Sequence, residues 1–214
     1  MDKAAVTVTI ERPFPAYALP RVWGWTVESR RQVADDFAVS TLEAFVNEWE
    51  AADAAGRSTW GVWRDKELGG VVTSAHINPM CVDAHCVFKR SFWGHDTTVE
   101  ALRLVFEEIF AEGVVKITAT AFHDNHALLG LVRKLGFQKE GVLRQQTRRN
   151  GEMVDVVLIG LTKAAFGQVS AGRPAARHAA PQHSANPDKP GLPVTNVERI
   201  GPSRLQLVAP PECG

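Results

Sequence analysis

The 214-residue sequence is short of several kinds of residue, and each shortage excludes a class of protein. Its three cysteines, Cys81, Cys86 and Cys213, are odd in number and lack the spacing of metal ligands, so neither a disulfide framework nor a metal site is expected. Lys plus Arg and Asp plus Glu both total 24, so no excess charge attracts nucleic acid or an anionic membrane. No N-terminal apolar run predicts a signal peptide or a membrane span. A soluble protein of the reducing cytoplasm is therefore expected.

The last part of the chain lacks aromatic residues. Residues 167–214 contain none, yet they hold eight of the twelve prolines. Such a composition cannot bury enough apolar surface to offset chain entropy. The sequence therefore predicts one domain over residues 1–166 and a Pro-rich, disordered tail over residues 167–214. Within the tail, "SRLQLVAPP" is either an untethered terminus or a short docked strand.

The first 166 residues do contain alternating strand and helix periodicities. "AVTVTI" alternates like a strand, and "STLEAFVNEWEAA" predicts a helix behind a capping box of Ser40 and Glu43. "STWGVWRDKELGGVVTSAHI" then predicts two strands around a turn at residues 64–67, and "AHCVFKRSF" predicts a third strand after the connection "NPMCVDA".

The second half of the domain continues this alternation. An apolar stripe predicts a helix, "VVKITATAF" predicts a buried strand, and "NHALLGLVRKL" predicts a helix closed by Gly136. Asn150-Gly151 predicts a hairpin turn between two final strands. The expected fold is α/β, with a mixed sheet of six to seven strands and about four helices. The residues of the apolar stripe are Leu102, Val105, Phe106 and Ile109.

Five short motifs lie in register along the second half of the domain. They are Trp93-Gly94, Glu100-Ala101, Asn125, Leu135-Gly136-Phe137 and Glu140-Gly141. Together they resemble the second half of a GNAT acyltransferase. The resemblance covers residues 84–162 and is closest to the branch of ribosomal-protein N-terminal acetyltransferases, whereas residues 4–83 fit by element order alone. It implies the GNAT fold and an N-acetyltransferase that uses acetyl-CoA and a primary amine in a ternary complex.

The resemblance also implies where acetyl-CoA binds. Backbone N–H groups of a loop and of the following helix N-terminus would hold the pyrophosphate. The strand edge around Phe88 and Lys89 would hydrogen-bond the pantetheine arm, and Asn125 would contact the cofactor near the next helix. The loop and helix residues are Trp93, Gly94, His95, Asp96, Thr97 and Thr98. "TTVE" is also a capping box, so Thr97 and Glu100 have a structural interpretation in helix initiation.

Two positions of this segment depart from the family pattern. Ser91 stands where the family has Gln or Arg, and Asp96 stands where it has Gly or Ala. A carboxylate about 6 Å from a phosphate would cost on the order of 3 kcal/mol. An outward-pointing Asp96 would avoid this cost and is the interpretation we favour. Alternatively, His95 offsets the charge, or Lys89 or Arg90 supplies a cation.

The catalytic residues are not evident from the resemblance. The position that often holds Ser is Leu128, and Tyr17 is the only tyrosine, so the usual acid for the leaving thiolate is absent. Histidine titrates near neutral pH, which makes His85 a candidate base, either directly or through water, and His123 a candidate proton relay. A capping or surface role is the alternative for each histidine. Cys86 is interpreted as a small core residue rather than a nucleophile.

The acceptor side is implied only by the resemblance, in which the first helices and the terminal hairpin form the cleft. Trp23 and Trp25 would either stack on a substrate or pack, and Arg148 and Arg149 would either receive an acidic peptide or form a solvated face. Two functions remain open. One is an N-acetyltransferase for a peptide, a protein N-terminus or a small-molecule amine. The other is a degenerate GNAT-fold binding module.

Overall fold

The computed structural model describes residues 7–93 and 96–171. Within these ranges the chain forms a seven-stranded mixed sheet with helices on both faces, which confirms the predicted α/β fold. None of the helices described there is long and apolar enough to cross a membrane. The elements are β1 (Val8–Glu11), α1 (Leu19–Glu28), α2 (Arg30–Val33), α3 (Leu42–Ala54), β2 (Ser58–Arg64), β3 (Glu67–Asn78), β4 (Cys81–Phe88), α4 (Asp96–Ala111), β5 (Lys116–Phe122), α5 (His126–Lys134), β6 (Gln138–Arg149), β7 (Glu152–Thr162) and α6 (Lys163–Ala171).

The order of strands across the sheet is β1-β2-β3-β4-β5-β7-β6. The first four strands are antiparallel neighbours, and α4 crosses over so that β4 and β5 run parallel. Their pairing is short, because only residues 81–83 of β4 pair with residues 116–118 of β5. Beyond Asp83 and Thr118, β4 pairs with β3 and β5 pairs with β7. The sheet therefore opens between β4 and β5 at a point that we call the fork.

Two apolar layers cover the sheet. The larger contains Trp60, Val82, Phe92 and the buried sides of α4 and α5. All four residues of the predicted stripe on α4 are among its buried members. The smaller layer packs α1 and α3 against the other face through Val22, Trp25, Trp49 and Val71. Successive side chains of β4 point alternately toward the two layers, and this alternation determines which of them lie on each face of the fork.

Three local predictions differ from the structure. The N-cap of α3 is Thr41, whose Oγ1 accepts a hydrogen bond from Ala44 N (3.2 Å), so Ser40 is not the cap. β4 begins at Cys81, so most of the predicted connection before it is strand. Since α4 begins at Asp96, Thr97 is its second residue rather than its N-cap. The Asp96 carboxylate then belongs to the first turn, where the helix dipole favours a negative charge.

The chain remains helical past the predicted domain boundary. α6 spans Lys163–Ala171, and the buried Phe166 ring packs 5.3 Å from Phe110 and 6.4 Å from Phe106. The helix is therefore attached to the larger apolar layer. The predicted disordered tail, including "SRLQLVAPP", otherwise lies outside the described residues and stays a prediction.

Candidate active site

The opening between β4 and β5 is the candidate active site. Residues 84–88 of β4 and 119–122 of β5 have no ladder partner across it in the part of the chain that the structure describes. Free strand edges of this kind can hydrogen-bond an extended chain as an additional strand. At the far end, the Phe88 carbonyl accepts a hydrogen bond from Trp93 Nε1 (2.9 Å), and Lys89 N donates to Gly69 O (2.9 Å). The edge available to a ligand therefore lies before Phe88.

His85 lies on β4 just beyond the fork. Its Nε2 is 2.8 Å from Oδ2 of Asp83, two residues earlier on the same face of the strand. The other carboxylate oxygen, Oδ1, is 3.3 Å from the Thr118 hydroxyl on β5. The His85 side chain remains 56% exposed, so an arriving substrate can reach the imidazole. An accessible imidazole with an oriented ring is suited to accept a proton.

His123 is the other predicted catalytic histidine, and the structure does not bring it to His85. It follows β5 directly and lines a cavity of about 400 Å³ with residues of α5, β6 and β7, including Leu129, Val142 and Val157. Val157 belongs to the larger apolar layer, whereas Thr118, paired with Asp83, faces the opposite side of the sheet. The two histidines therefore lie on opposite faces, and His85 is the one at the fork.

The predicted pyrophosphate segment is described only in part, because Gly94 and His95 lie outside the described residues. Trp93 packs against the larger apolar layer, and the buried Thr98 donates its hydroxyl to Phe92 O (2.6 Å). Asp96 is exposed at the start of α4, and its orientation relative to the pyrophosphate stays a prediction. Thr97 is partly buried in the same turn.

Of the two cations proposed to offset Asp96, Lys89 has another partner. Its Nζ is 2.5 Å from Glu67, and this hydrogen bond lowers the pKa of the Glu67 carboxyl. Arg90 lines a cavity instead, and none of the described residues forms an ion pair with it. Of the two, Arg90 is therefore the one whose charge is not paired among the described residues.

Asn125 has a structural role at the N-terminus of α5. Its side-chain oxygen accepts a hydrogen bond from Leu128 N (3.1 Å), and its amide donates to Gln32 O (3.2 Å). The side chain thus joins α5 to α2. One amide proton is left for the cofactor contact that the resemblance implies.

Several side chains considered for chemistry pack in the structure. Burial raises the pKa of the Cys86 thiol to about 12, so the thiol stays neutral and is not activated as a nucleophile. Trp25 is buried, and Trp23 packs 5.4 Å from the Phe45 ring. Leu128 packs against the larger apolar layer, so position 128 offers no acid.

A second cavity lies beyond the carboxyl ends of β4 and β5. Its volume is about 500 Å³, and α1, α2, the segment after β4 and the β6–β7 turn line it. The turn reaches this edge because β7 runs antiparallel to β5, with Phe122 opposite Val156. We call it the charged cavity because its lining includes Glu28, Arg30, Asp35, Asp36, Arg90 and Arg149.

The acidic loop, Asp35 and Asp36, is hydrogen-bonded to the β6–β7 hairpin across the charged cavity. Asp36 accepts hydrogen bonds from the N–H groups of Asn150 (2.7 Å) and Gly151 (2.8 Å), and Asp35 accepts one from the Thr147 hydroxyl (2.6 Å). The backbone bonds from Gly151 and Asn150, with Arg148 nearby, lower the pKa of the Asp36 carboxyl. Sequence reasoning missed this loop, because its partners are more than a hundred residues away.

The two arginines of the hairpin both form ion pairs. Arg148 pairs with Asp36 (3.4 Å), and Arg149 pairs with Asp124 (2.5 Å) while its side chain is only 13% exposed. The hydrogen bond from Arg149 lowers the pKa of Asp124. Both arginines therefore fix the β6–β7 turn to neighbouring loops.

We expect Asp36→Ala to lower the thermal midpoint by a few degrees at pH 7. The folded-state pKa of Asp36 is lowered, so its stabilisation is present above the unfolded value near 3.8 and is lost as the pH falls below it. Thermal unfolding at pH 7 and at pH 3 measures this, and the difference from the parent should be smaller at pH 3. Glu50→Ala, at an exposed site on α3, is the control. Equal losses at both pH values would contradict the prediction.

Comparison with known protein families gives a match over more than half of the chain. The family described as "Acetyltransferase (GNAT) domain" matches residues 11–138. Among curated proteins, the uncharacterized N-acetyltransferase YoaA of Bacillus subtilis (strain 168) is 45% identical over 53 residues, which are 25% of this chain and 30% of that protein. The match thus spans less than a third of the length of that relative.

Solved structures share the fold at low sequence identity. The ribosomal-protein-alanine N-acetyltransferase from Brucella melitensis has a TM-score of 0.62 and 17% identity, covering 72% of this chain and 99% of that chain. The spermidine/spermine N-acetyltransferase SpeG from Vibrio cholerae has a TM-score of 0.64 and 15% identity, covering 78% of this chain and 99% of that chain. At these identities the likeness shows the fold alone.

Proposed function

Because the chain belongs to the GNAT acetyltransferase family, we propose that it transfers an acetyl group from acetyl-CoA to a primary amine in a ternary complex. The observation that most supports this proposal is the fork, where an accessible His85 adjoins two free strand edges. One edge suits the donor's extended arm, and the imidazole suits proton removal from an amine.

The donor would bind along the edge of β4 with its pyrophosphate at residues 93–98. The N-terminus of the 16-residue α4 favours an anion there, because its first N–H groups have no intrahelical acceptor. The family has Gln or Arg at the position of Ser91, and Arg90, two residues beyond β4, would supply the positive charge instead. The exposed Asp96 would point away from the phosphates.

The chemistry requires a neutral amine, because an ammonium has no lone pair to attack with. His85 would take one proton from the ammonium, directly or through water. The amine nitrogen would then attack the thioester carbonyl carbon and lose its second proton to solvent, so that the C–N bond of the amide forms and the C–S bond breaks. CoA would leave as a thiolate and take its proton from solvent, since Leu128 supplies none.

The acceptor would enter through the charged cavity, whose walls include the first helices and the β6–β7 turn. Its class is a peptide, a protein N-terminus or a small-molecule amine, and the motifs resemble the ribosomal-protein branch most. We expect a cytoplasmic protein that acts without a metal, a nucleic acid or a membrane.

A GNAT-fold binding module without activity is the second candidate. Two features favour it. Asp96 places a negative charge in the anion-binding segment. The acid for the leaving thiolate is also missing, because position 128 is Leu128 and the only tyrosine, Tyr17, is 78% exposed. Such a module would bind a ligand in the fork and release no CoA.

Calorimetry with acetyl-CoA, followed by a thiol-release assay across peptides, polyamines and amino acids, tests the proposal. Binding together with amine-dependent release of CoA supports the enzyme, and binding without release across the panel supports the module. No binding of acetyl-CoA would contradict the enzyme.

We expect Asp96→Gly to change the affinity for acetyl-CoA less than threefold, because the exposed carboxylate points away from the pyrophosphate. The titration is repeated at low and high salt. A marked gain in affinity that shrinks at high salt would show that Asp96 repels the phosphates. A large loss would show that Asp96 helps to form the site.

A further inference from the structure

The fork brings together three polar side chains, only one of which the proposed reaction uses directly. Asp83 and Thr118 are the last paired residues of β4 and β5 before the strands separate. His85 Nε2 lies 2.8 Å from Asp83 Oδ2, and the Thr118 hydroxyl lies 3.3 Å from Asp83 Oδ1. Both oxygens of one carboxylate are thus held, one from each strand.

The arrangement determines which imidazole nitrogen carries the proton in neutral His85. A carboxylate accepts hydrogen bonds and donates none, so the nitrogen that faces Asp83 must be the N–H. Nδ1 is then the nitrogen with the free lone pair. A base needs its lone pair on the nitrogen that faces the substrate, and a negative partner stabilises the imidazolium that forms.

Thr118 restrains the carboxylate in turn. Its hydroxyl is buried and lies 3.1 Å from Val82 O as well as 3.3 Å from Asp83 Oδ1, so its proton serves acceptors on β4 only. The bond crosses from β5 to β4 at the point where the ladder ends. A change at Thr118 can therefore reach His85 through Asp83.

We propose that Asp83 is a positioning residue that holds His85 with Nε2 protonated and Nδ1 facing the acceptor amine, and that Thr118 fixes Asp83 at the fork. The expected effects on kcat rest on the proposed acetyl transfer, whereas the tautomer of His85 does not. In the step itself, the amine proton passes to Nδ1 while the Nε2–H bond to Asp83 remains, and the resulting imidazolium is paired with the carboxylate.

Nitrogen NMR of the imidazole tests the resting arrangement without any turnover. We expect neutral His85 in the ¹⁵N-labelled full chain to show a protonated Nε2 and an unprotonated Nδ1. Asp83→Ala should give a mixture of the two tautomers, and Asp83→Asn, whose amide oxygen also accepts, should keep the single form. An Nδ1–H tautomer in the parent, or no change in Asp83→Ala, would overturn the proposal.

Steady-state kinetics test the positioning role. We expect Asp83→Ala to lower kcat at least tenfold with an unchanged KM for acetyl-CoA, and Asp83→Asn to recover part of the loss. Thr118→Val should lower kcat several-fold, and Thr118→Ser, which keeps the hydroxyl, should restore it. Full turnover in a folded Asp83→Ala chain would overturn the proposal.

The two arms separate this proposal from the proposed function. If the parent chain transfers no acetyl group to any amine tested, the proposed function fails, and the nitrogen spectra still decide whether Asp83 sets the tautomer of His85. If transfer occurs but the spectra show Nδ1–H, the proposed function stands and the positioning role is wrong. Glu50→Ala, at an exposed carboxylate on α3, is the control for loss of a charge.

Discussion

Replacing His85 with Gln is expected to lower turnover about a hundredfold or more while leaving acetyl-CoA binding intact. General base catalysis contributes roughly 10²–10⁴-fold, and Gln keeps polarity without a titratable nitrogen. The binding edge of β4 is backbone, so the substitution should spare the donor site. Single-turnover rates and calorimetry separate the two quantities.

Two other histidines serve as matched comparisons. His76→Gln alters an exposed histidine on β3 whose Nδ1 contacts Asn78 O (3.3 Å), and it should keep full turnover. His123→Gln should also keep most of it, because His123 lines a cavity on the other face of the sheet. A hundredfold loss in His123→Gln with full turnover in His85→Gln would reverse the assignment. Full turnover in both would mean that the amine arrives neutral and that positioning alone accounts for the rate.

Gly69→Ala is expected to destabilise the fold by about 3 kcal/mol and to weaken acetyl-CoA binding at least tenfold. A Cβ at Gly69 would lie 1.9 Å from the Phe92 ring, which is fully buried. Overpacking of a core typically costs about 1–3 kcal/mol, and here the displaced ring directly precedes Trp93. The Phe92 carbonyl also accepts the Thr98 hydroxyl, so movement of Phe92 disturbs the first turn of α4.

Denaturant unfolding and calorimetry measure both effects. Phe92→Leu in the same chain should return part of the stability lost in Gly69→Ala, because the smaller side chain makes room for the new methyl group. Gly130→Ala on α5 meets no atom within 4 Å and should raise stability by about 0.5–1 kcal/mol. An unchanged affinity in Gly69→Ala would show that Phe92 does not support the anion-binding segment.

Local rules account for the parts of the fold that the sequence predicted. Asn150 and Gly151 have positive φ angles of 54° and 81°, as a two-residue hairpin turn requires. Gly136 has a φ of 93° and ends α5, because helices commonly end at a residue with positive φ and glycine adopts it without strain. These features depend on residues a few positions apart. Helix starts were less certain, because Ser40 and Thr41 are both good caps and only the structure distinguishes them.

The candidate site was only partly predictable. "VDAHC" does place Asp83 and His85 on one face of a strand, since side chains alternate, and this signal was available but not used. No local pattern pairs Lys89 with Glu67 or brings Asp36 to the β6–β7 turn, because these contacts depend on the packed fold. His123 follows the last residue of β5, so the face it occupies depends on where the strand ends.

Transfer of labelled acetyl groups tests the proposed acetyl transfer most directly. The full chain is incubated with [¹³C]acetyl-CoA and a mixture of peptides and small amines, and the products are identified by mass spectrometry. We expect labelled amide on a primary amine, formed at least a hundredfold more slowly by His85→Gln. Acetyl-CoA that binds and is recovered intact, with no labelled amine from the parent chain, would contradict it.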